Sequence, residues 1–504
     1  MRFVFRQGLN AVKKLSIVDD AFLRIESRRQ PFHIGMLMLF EPGMDTPVNF
    51  IEKLVQKLKS STEASEPFNR QLVTKRGIQY WKEDTDFDIT QQFAHISLPK
   101  PGRIRELLEF VSRVHSSHLD RAYPLWRLYL IEGLEDGRFA VFLKFHHSMM
   151  DGVAGLRVMV NAMSGDIRES ENLPAFWQSR VDKSEAHRLP SLKPFAVNLK
   201  SLRSLPKQSF QFIKPLYRDV NRSILDYLKS NPNAVFFGQA PRSIFNQKVS
   251  ASRRYAAQSY STARMRAIAQ RLDATLNDVV LALCGSALRI YLKDRNELPD
   301  TPLVAAIPVS IREQGDNSLN NEVAFTLTHL GTHIADPVRR LQSIKNCMDY
   351  NKKNLRELSP GQTLASAVMK LVPGAVNAVL GLKPDNALAS ICISHVPGPR
   401  EALYWQGARL SGLYPVSLVT DTGAVNITII SRHDYVDFGI IACSKTVPSM
   451  QRLIDYLEDG LIELEQALLP PSVDGFSAEL HDPERSLVTG KVERKDVCFE
   501  EITD

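Results

Sequence analysis

The stretch Ala140-Val141-Phe142-Leu143-Lys144-Phe145-His146-His147-Ser148-Met149-Met150-Asp151-Gly152 decides how this chain is read. An apolar run of strand character stops at two histidines, and an Asp-Gly turn follows four residues later. Val153 to Ala162 then reads as a helix whose apolar face is Leu156, Val158, Met159 and Val160. A strand that ends in a polar turn before a helix is a common way to hold a reactive side chain over a cleft. Neighbouring residues of an extended segment point to opposite sides, so His146 and His147 divide the work: one faces a substrate, the other the interior. Three readings compete. The first is a satisfied core pair with a turn aspartate. The second is a metal site of His146, His147 and Asp151, disfavoured because adjacent strand histidines diverge while helical metal motifs set two on one face. The third, a general-base histidine, fits best: a neutral imidazole can take a proton from a hydroxyl and return it to a leaving group.

A chain of 504 residues is long enough for two domains of about 150 to 200 residues each plus connections. Its 44% hydrophobic and 24% charged content is that of an ordinary globular protein. A net charge of +7 suits anionic membranes, CoA phosphates or nucleic acid and does not choose among them. Cys284, Cys347, Cys392, Cys443 and Cys498 show no metal spacing, and an odd, scattered set points to reduced thiols in the cytosol. Met1 to Gln7 has no sustained apolar region of the signal-peptide kind. No window is apolar over the ~18 residues a membrane span needs; the nearest, Leu371 to Leu382, is broken by Pro373, Gly374 and Asn377. Membrane contact is therefore expected to be peripheral.

His146 to Gly152 has the form HHxxxDG, and here the chain resembles the bacterial wax ester synthase/acyl-CoA:diacylglycerol acyltransferases of the CoA-dependent acyltransferase superfamily. Condensation domains and plant acyltransferases carry related signatures, so other segments must decide. Leu15 to Glu26 matches the family's LSxxDxxFLxxE opening and reads locally as a short helix capped by Ser16 and Asp19. His33-Ile34-Gly35 matches HIG and leads into the apolar strand Met36 to Phe40; His33 is expected to hold a backbone partner. Amphipathic helices follow at Phe50 to Lys59 and Ile104 to Leu119. Pro124-Leu125-Trp126 matches the family's PLW segment and reads as scaffolding behind the histidine loop, with substrate contact as the other assignment.

From Gly165 to about Pro190 the pattern dissolves. Leu192 to Lys229 interleaves Lys and Arg with aliphatic and aromatic residues, which suits an anionic bilayer or lipid droplet as well as a solvated crossover helix. It carries no recognisable nucleic-acid motif. Thr275-Leu276-Asn277-Asp278 opens a helix, with Thr275 and Asp278 at capping-box spacing. Asn277-Asp278 also matches the family's ND motif. The resemblance implies that Asn277 steadies the tetrahedral oxyanion and that Asp278, Ser394 and His395 belong to the substrate-binding set. It further implies that Asp151 is structural, with Arg312 a candidate partner, and that Gly152 serves the turn. Two departures stand out. Asn320-Asn321-Glu322 replaces GNxx, and Ser394-His395-Val396-Pro397-Gly398-Pro399 puts His395 where relatives carry asparagine.

The resemblance runs from Leu15 to Leu468 and implies an α/β fold of two chloramphenicol acetyltransferase-like domains facing each other across a substrate channel. Residues 1–170 would form the domain bearing HHxxxDG, 171–248 a basic crossover, 249–469 the second domain, and 470–504 an acidic, disordered tail. The implied reaction moves a long-chain acyl group from acyl-CoA to a fatty alcohol or diacylglycerol. His147 would be the general base and His146 would position the loop, with no cofactor and no metal. The expected location is cytoplasmic, at the inner membrane or lipid droplets. The alternatives are a superfamily member with a carrier-protein donor and a non-catalytic lipid-surface protein.

Overall fold

The computed structural model describes residues 12–178, 231–236, 238–310, 323–356 and 386–469, with isolated positions between 222 and 229. Most of the basic segment, Arg312, Asn320 to Glu322, Leu371 to Leu382 and the acidic tail lie outside the described residues. In chain order the first half runs β1 (Lys13–Lys14), α1 (Ile17–Ile25), β2 (His33–Glu41), α2 (Phe50–Ser60), β3 (Arg70–Lys75), β4 (Ile78–Glu83), α3 (Ile89–Gln92), β5 (Phe93–Ser97), α4 (Ile104–Ser116), β6 (Trp126–Glu132), β7 (Phe139–His146), α5 (Gly152–Asn161) and α6 (Ile167–Asn172). The second half runs β8 (Ala240–Pro241), β9 (Arg253–Ser261), α7 (Thr262–Arg271), α8 (Leu276–Lys293), β10 (Val304–Ser310), β11 (Val323–His329), α9 (Pro337–Arg356), β12 (Asn386–Ala387), β13 (Ile391–Pro397), β14 (Tyr404–Trp405), β15 (Ala408–Val416), β16 (Val425–Ser431), β17 (Tyr435–Cys443) and α10 (Arg452–Leu468).

Two mixed sheets of six described strands carry the fold, in the orders β14-β15-β2-β7-β6-β5 and β11-β10-β13-β16-β17-β9. Strand β7 is buried along its whole length and apolar from Phe139 to Leu143 because both its faces are covered. Ala140 and Phe142 pack in one cluster with second-sheet residues such as Tyr255, Ala257 and Ile427. Val141, Leu143 and Phe145 pack in the other, with α2 and α5. Strand β2 divides the same way, Leu37 and Leu39 against Met36, Met38 and Phe40. Helices α8, α9 and α10 pack on one another beside the second sheet.

The chain does not divide along its length as cleanly as its composition suggests. Strands β14 and β15 lie inside the segment expected to form the second domain, yet they pair into the first sheet, β15 against β2. The crossover expected from residue 171 begins as core: Phe176 and Trp177 are fully buried and pack on Trp126. At its other end Phe245 joins the second core before residue 249.

Strand β15 also meets β17 of the second sheet. Gly439 permits the approach, since a Cβ there would stand 1.9 Å from the Pro415 carbonyl oxygen. Beside it the fully buried Asp437 carboxylate accepts from the Leu413 N–H at 3.0 Å, the Ser259 hydroxyl at 2.6 Å and the Arg432 guanidinium. Removing this carboxylate leaves a buried guanidinium and a strand amide without their acceptor. Asp437→Ala should therefore cost on the order of 3 kcal/mol in urea unfolding. A loss under about 1 kcal/mol would mean that apolar contact alone joins the sheets.

Candidate active site

The β2–β7 ladder ends with His33 opposite His146. The backbone holds both histidines beyond that point: the His146 N–H donates to the Leu125 carbonyl at 2.8 Å, and the His147 N–H to the Phe32 carbonyl at 2.9 Å. The Met149 N–H returns to the His146 carbonyl at 2.9 Å and closes the turn. Asp151 then caps α5, its Oδ1 accepting the Ala154 N–H at 2.8 Å. Gly152 is the first residue of α5 and has no positive φ, so its place is inside the helix rather than in the turn. The glycine that packing demands is Gly155, where a Cβ would meet the Phe145 ring at 2.4 Å.

The two imidazoles have different surroundings. His146 is 1% exposed, and its Nδ1 accepts from the Ser148 N–H at 3.1 Å with the Ser148 hydroxyl at 2.7 Å. An accepting Nδ1 leaves the proton on Nε2, which faces Glu26 Oε1 at 3.5 Å. His147 is half-buried, its ring centroid 4.9 Å from that of Phe22. His146 thus has an interior setting, and His147 is the member of the pair that keeps partial access to solvent.

Behind the pair lies a buried polar cluster. His33 Nε2 meets the His115 carbonyl at 2.7 Å, and His115 Nε2 meets the Ser417 carbonyl at 2.8 Å. Burial pushes the His33 imidazole well down and that of His115 down to about 3, so both are neutral. Burial also pushes the Lys144 ammonium down to about 7, although it donates to the Val114 carbonyl at 2.9 Å and to that of Ser117, closing the C-terminal end of α4. His33 has the backbone partner expected of it.

Two residues that reading the sequence did not single out matter here, Phe22 and Glu26 on and just beyond α1. Their signal is present in the LSxxDxxFLxxE opening, a family match whose local reading is a capped helix with no role given to either side chain. Burial alone would raise the Glu26 carboxyl. The His146 ring, the Phe32 N–H at 3.0 Å and the Arg121 guanidinium at 2.7 Å outweigh it and hold the group down at about 2.

On the second sheet's side, Asn277 lies in the first turn of α8, half-buried, with its Oδ1 3.2 Å from His395 Nδ1 on β13. Val396 and Ile430, beside His395 and on β16, pack on the cluster that holds Met149 and Met150 of the histidine turn. Ser394 is half-buried on β13. Asp278, Pro124, Leu125 and Trp126, read above as cap or scaffold with substrate contact as the other assignment, are buried in structural contacts. Asp278 is 1% exposed and spends its carboxylate on the capping box, accepting from the Thr275 N–H at 2.9 Å and hydroxyl at 2.6 Å. Pro124, Leu125 and Trp126 are buried; Leu125 holds His146, and Trp126 donates to the Phe68 carbonyl at 2.8 Å.

Two mixed sheets with an HHxxxDG turn define a chloramphenicol acetyltransferase-like acyltransferase fold. A condensation domain of the calcium-dependent antibiotic synthetase shares it at a TM-score of 0.57 and 14% identity, covering 92% of this chain and 97% of that one. The chain matches the wax ester synthase/diacylglycerol acyltransferase catalytic domain over residues 15–280 and the WS/DGAT C-terminal domain over residues 319–465. It is 41% identical to the O-acyltransferase WSD of Acinetobacter baylyi over 89% of this chain and 96% of that protein. It is 39% identical to a putative diacylglycerol O-acyltransferase of Mycobacterium tuberculosis over 90% and 100%. The structure of a wax ester synthase/diacylglycerol acyltransferase from Marinobacter aquaeolei superposes with a TM-score of 0.73 at 37% identity, over 90% of this chain and 99% of that one. The chain belongs to the wax ester synthase/diacylglycerol acyltransferase family and is an O-acyltransferase.

Glu26 gives this site a pH signature. Its folded-state pKa lies below the ordinary 4.5, so the ionised carboxylate stabilises the fold fully above pH 4.5 and that contribution is lost as pH falls towards about 2. The stability gap between wild type and Glu26→Gln should be largest at neutral pH and close across that window, measured by urea unfolding at stepped pH. A gap independent of pH would show that shape, not charge, is what Glu26 contributes.

Proposed function

We propose that this enzyme transfers a long-chain fatty acyl group from acyl-CoA to a fatty alcohol, a diacylglycerol or both, in a ternary complex. His147 takes the proton of the acceptor hydroxyl, whose oxygen attacks the thioester carbonyl carbon. The tetrahedral oxyanion is met by the Asn277 amide. Collapse breaks the C–S bond, and the His147 imidazolium returns its proton to the CoA thiolate. The products are an ester and free CoA. The observation that carries this reading is the partial exposure of His147 at the end of a buried strand, with His146 beside it fixed by Ser148 and Glu26. Holding both substrates at one base supplies much of the rate in such a scheme.

Peripheral contact with a lipid surface belongs to the same proposal. No single helix among the described residues is long and apolar enough to cross a membrane. Helix α1 buries Asp19 and Leu23, with Leu15 buried just ahead of it, and turns Val18 and Ile25 outward at 47% and 57% exposure. Phe22 shares that outward stripe by its i, i+4, i+7 spacing and reaches His147. Exposed Ile78 and Tyr123 lie nearby: Arg24 donates to the Gly77 carbonyl, and Arg121 to that of Leu23. Lys13 and Lys14 are exposed on β1, and Arg28 and Arg29 just past α1. An apolar stripe with a basic border suits an anionic bilayer and would deliver a lipid alcohol beside the base.

Purified protein given palmitoyl-CoA with hexadecanol or dipalmitoylglycerol should release free thiol and neutral ester together, and the product ratio ranks the acceptors. His147→Ala should lower kcat by at least ~100-fold, the lower range for a lost general base, with thermal stability kept. Silence of folded wild type with both acceptors, and turnover only from a carrier-protein thioester, would overturn the donor assignment. Val18→Asp with Ile25→Asp should weaken sedimentation with phosphatidylglycerol vesicles while sparing turnover in detergent. Unchanged sedimentation would move the lipid contact elsewhere.

A further inference from the structure

The Asn277 side chain does not stand alone. His395 sits on β13 with Nδ1 3.2 Å from Asn277 Oδ1, while its Nε2 lies against the Ser431 hydroxyl at the end of β16. These three side chains form one short chain that runs from the second sheet to the first turn of α8. Burial pushes the His395 imidazole down to about 4, so at neutral pH the ring has a single N–H and a single acceptor nitrogen.

A neutral ring between a hydroxyl and an amide admits two self-consistent arrangements. In one, the Ser431 hydroxyl donates to Nε2 and the Nδ1–H donates to Asn277 Oδ1, which leaves the amide's two N–H groups for whatever approaches α8. In the other, Nε2–H donates to Ser431, the Asn277 amide donates to Nδ1, and its oxygen is turned outward. The first leaves both amide N–H groups for developing negative charge, whereas the second spends one on Nδ1 and turns the oxygen outward; the first is the arrangement in which Oδ1 faces Nδ1.

We propose that His395, held by Ser431, is a positioning residue that locks the Asn277 amide in its donor orientation for the oxyanion of acyl transfer. The proposal rests on the oxyanion role given to Asn277 above. It deepens that role, because the sequence offers His395 only as a departure in the substrate-binding set. His395 itself touches neither acyl group nor acceptor in this scheme. Its effect on catalysis passes entirely through Asn277, and that makes it separable from a merely structural contribution.

The test is a double-mutant cycle on purified full-length enzyme with palmitoyl-CoA and hexadecanol, reading kcat and KM separately. Asn277→Ala should lower kcat by about 100-fold, the scale of a lost oxyanion donor. His395→Leu should lower kcat by roughly tenfold, a part of that loss, with KM for palmitoyl-CoA little changed. In the Asn277→Ala background His395→Leu should have no further effect on kcat, since there is no amide left to orient. His395→Asn, which restores an N–H donor, should recover most of the activity. Ser431→Ala should lower kcat less than His395→Leu, and also only when Asn277 is present; it serves as the probe if His395→Leu does not fold by circular dichroism. Full additivity of the 395 or 431 effect with Asn277→Ala overturns the proposal, as does wild-type kcat in folded His395→Leu. Wild-type kcat in Asn277→Ala is a different failure: it removes the oxyanion role of Asn277, and the proposal with it.

Discussion

The geometry of the site depends on one ladder, the antiparallel pairing of β2 with β7. Its register sets His33 opposite His146 and Gly35 opposite Lys144, and each step outward along it alternates between two cores. A slip of one residue would exchange every inward and outward side chain of β7. It would put Phe145 and Leu143 against the polar cluster and drive Lys144 and His146 into the apolar core beside α5. The register is therefore held by the cost of burying charge among hydrocarbon, several kcal/mol by general scales, as well as by hydrogen bonds.

The polar residues on that inward face are tolerated because each has an acceptor or donor supplied by a different element. Lys144 closes α4, His33 reaches the His115 carbonyl, and His146 reads Ser148 and Glu26. The result is a rigid platform on which His147, the next residue along, is the first side chain with partial solvent exposure. Helix α1 supplies the roof through Phe22 and the charge through Glu26. On the second sheet's side Asp278 caps α8, accepting from the Thr275 N–H and hydroxyl, and Asn277 beside it meets His395.

Much of this was legible in the sequence. The β7 run, the turn, the α5 and α8 starts and the amphipathic helices α2 and α4 follow from periodicity and capping, which act over a few residues. The motif segments fixed the family. What local pattern could not carry was long-range exchange. Strand β15 leaves the second half of the chain to pair with β2, and Phe176-Trp177, in a stretch without periodicity, fills the space over Trp126. Helix α9 went unassigned because its buried positions are interleaved with lysine and arginine.

The sequence by itself determined the family, the strand-turn-helix that carries the histidine pair, and the fact that only one histidine of the pair can face outward, because strand alternation is a covalent property of the backbone. The resemblance pointed to His147 as that residue, and the tertiary structure gave the physical reason, since Glu26 and Phe22 arrive from elsewhere to join Ser148 around the pair. It also showed what Leu125 and Trp126, read as scaffold, hold, namely His146 and the Phe68 carbonyl, and that His395 meets Asn277. Those assignments rest on contacts between residues up to 120 positions apart, about which spacing along the chain carries no information; the His395–Asn277 pair is separated by 118.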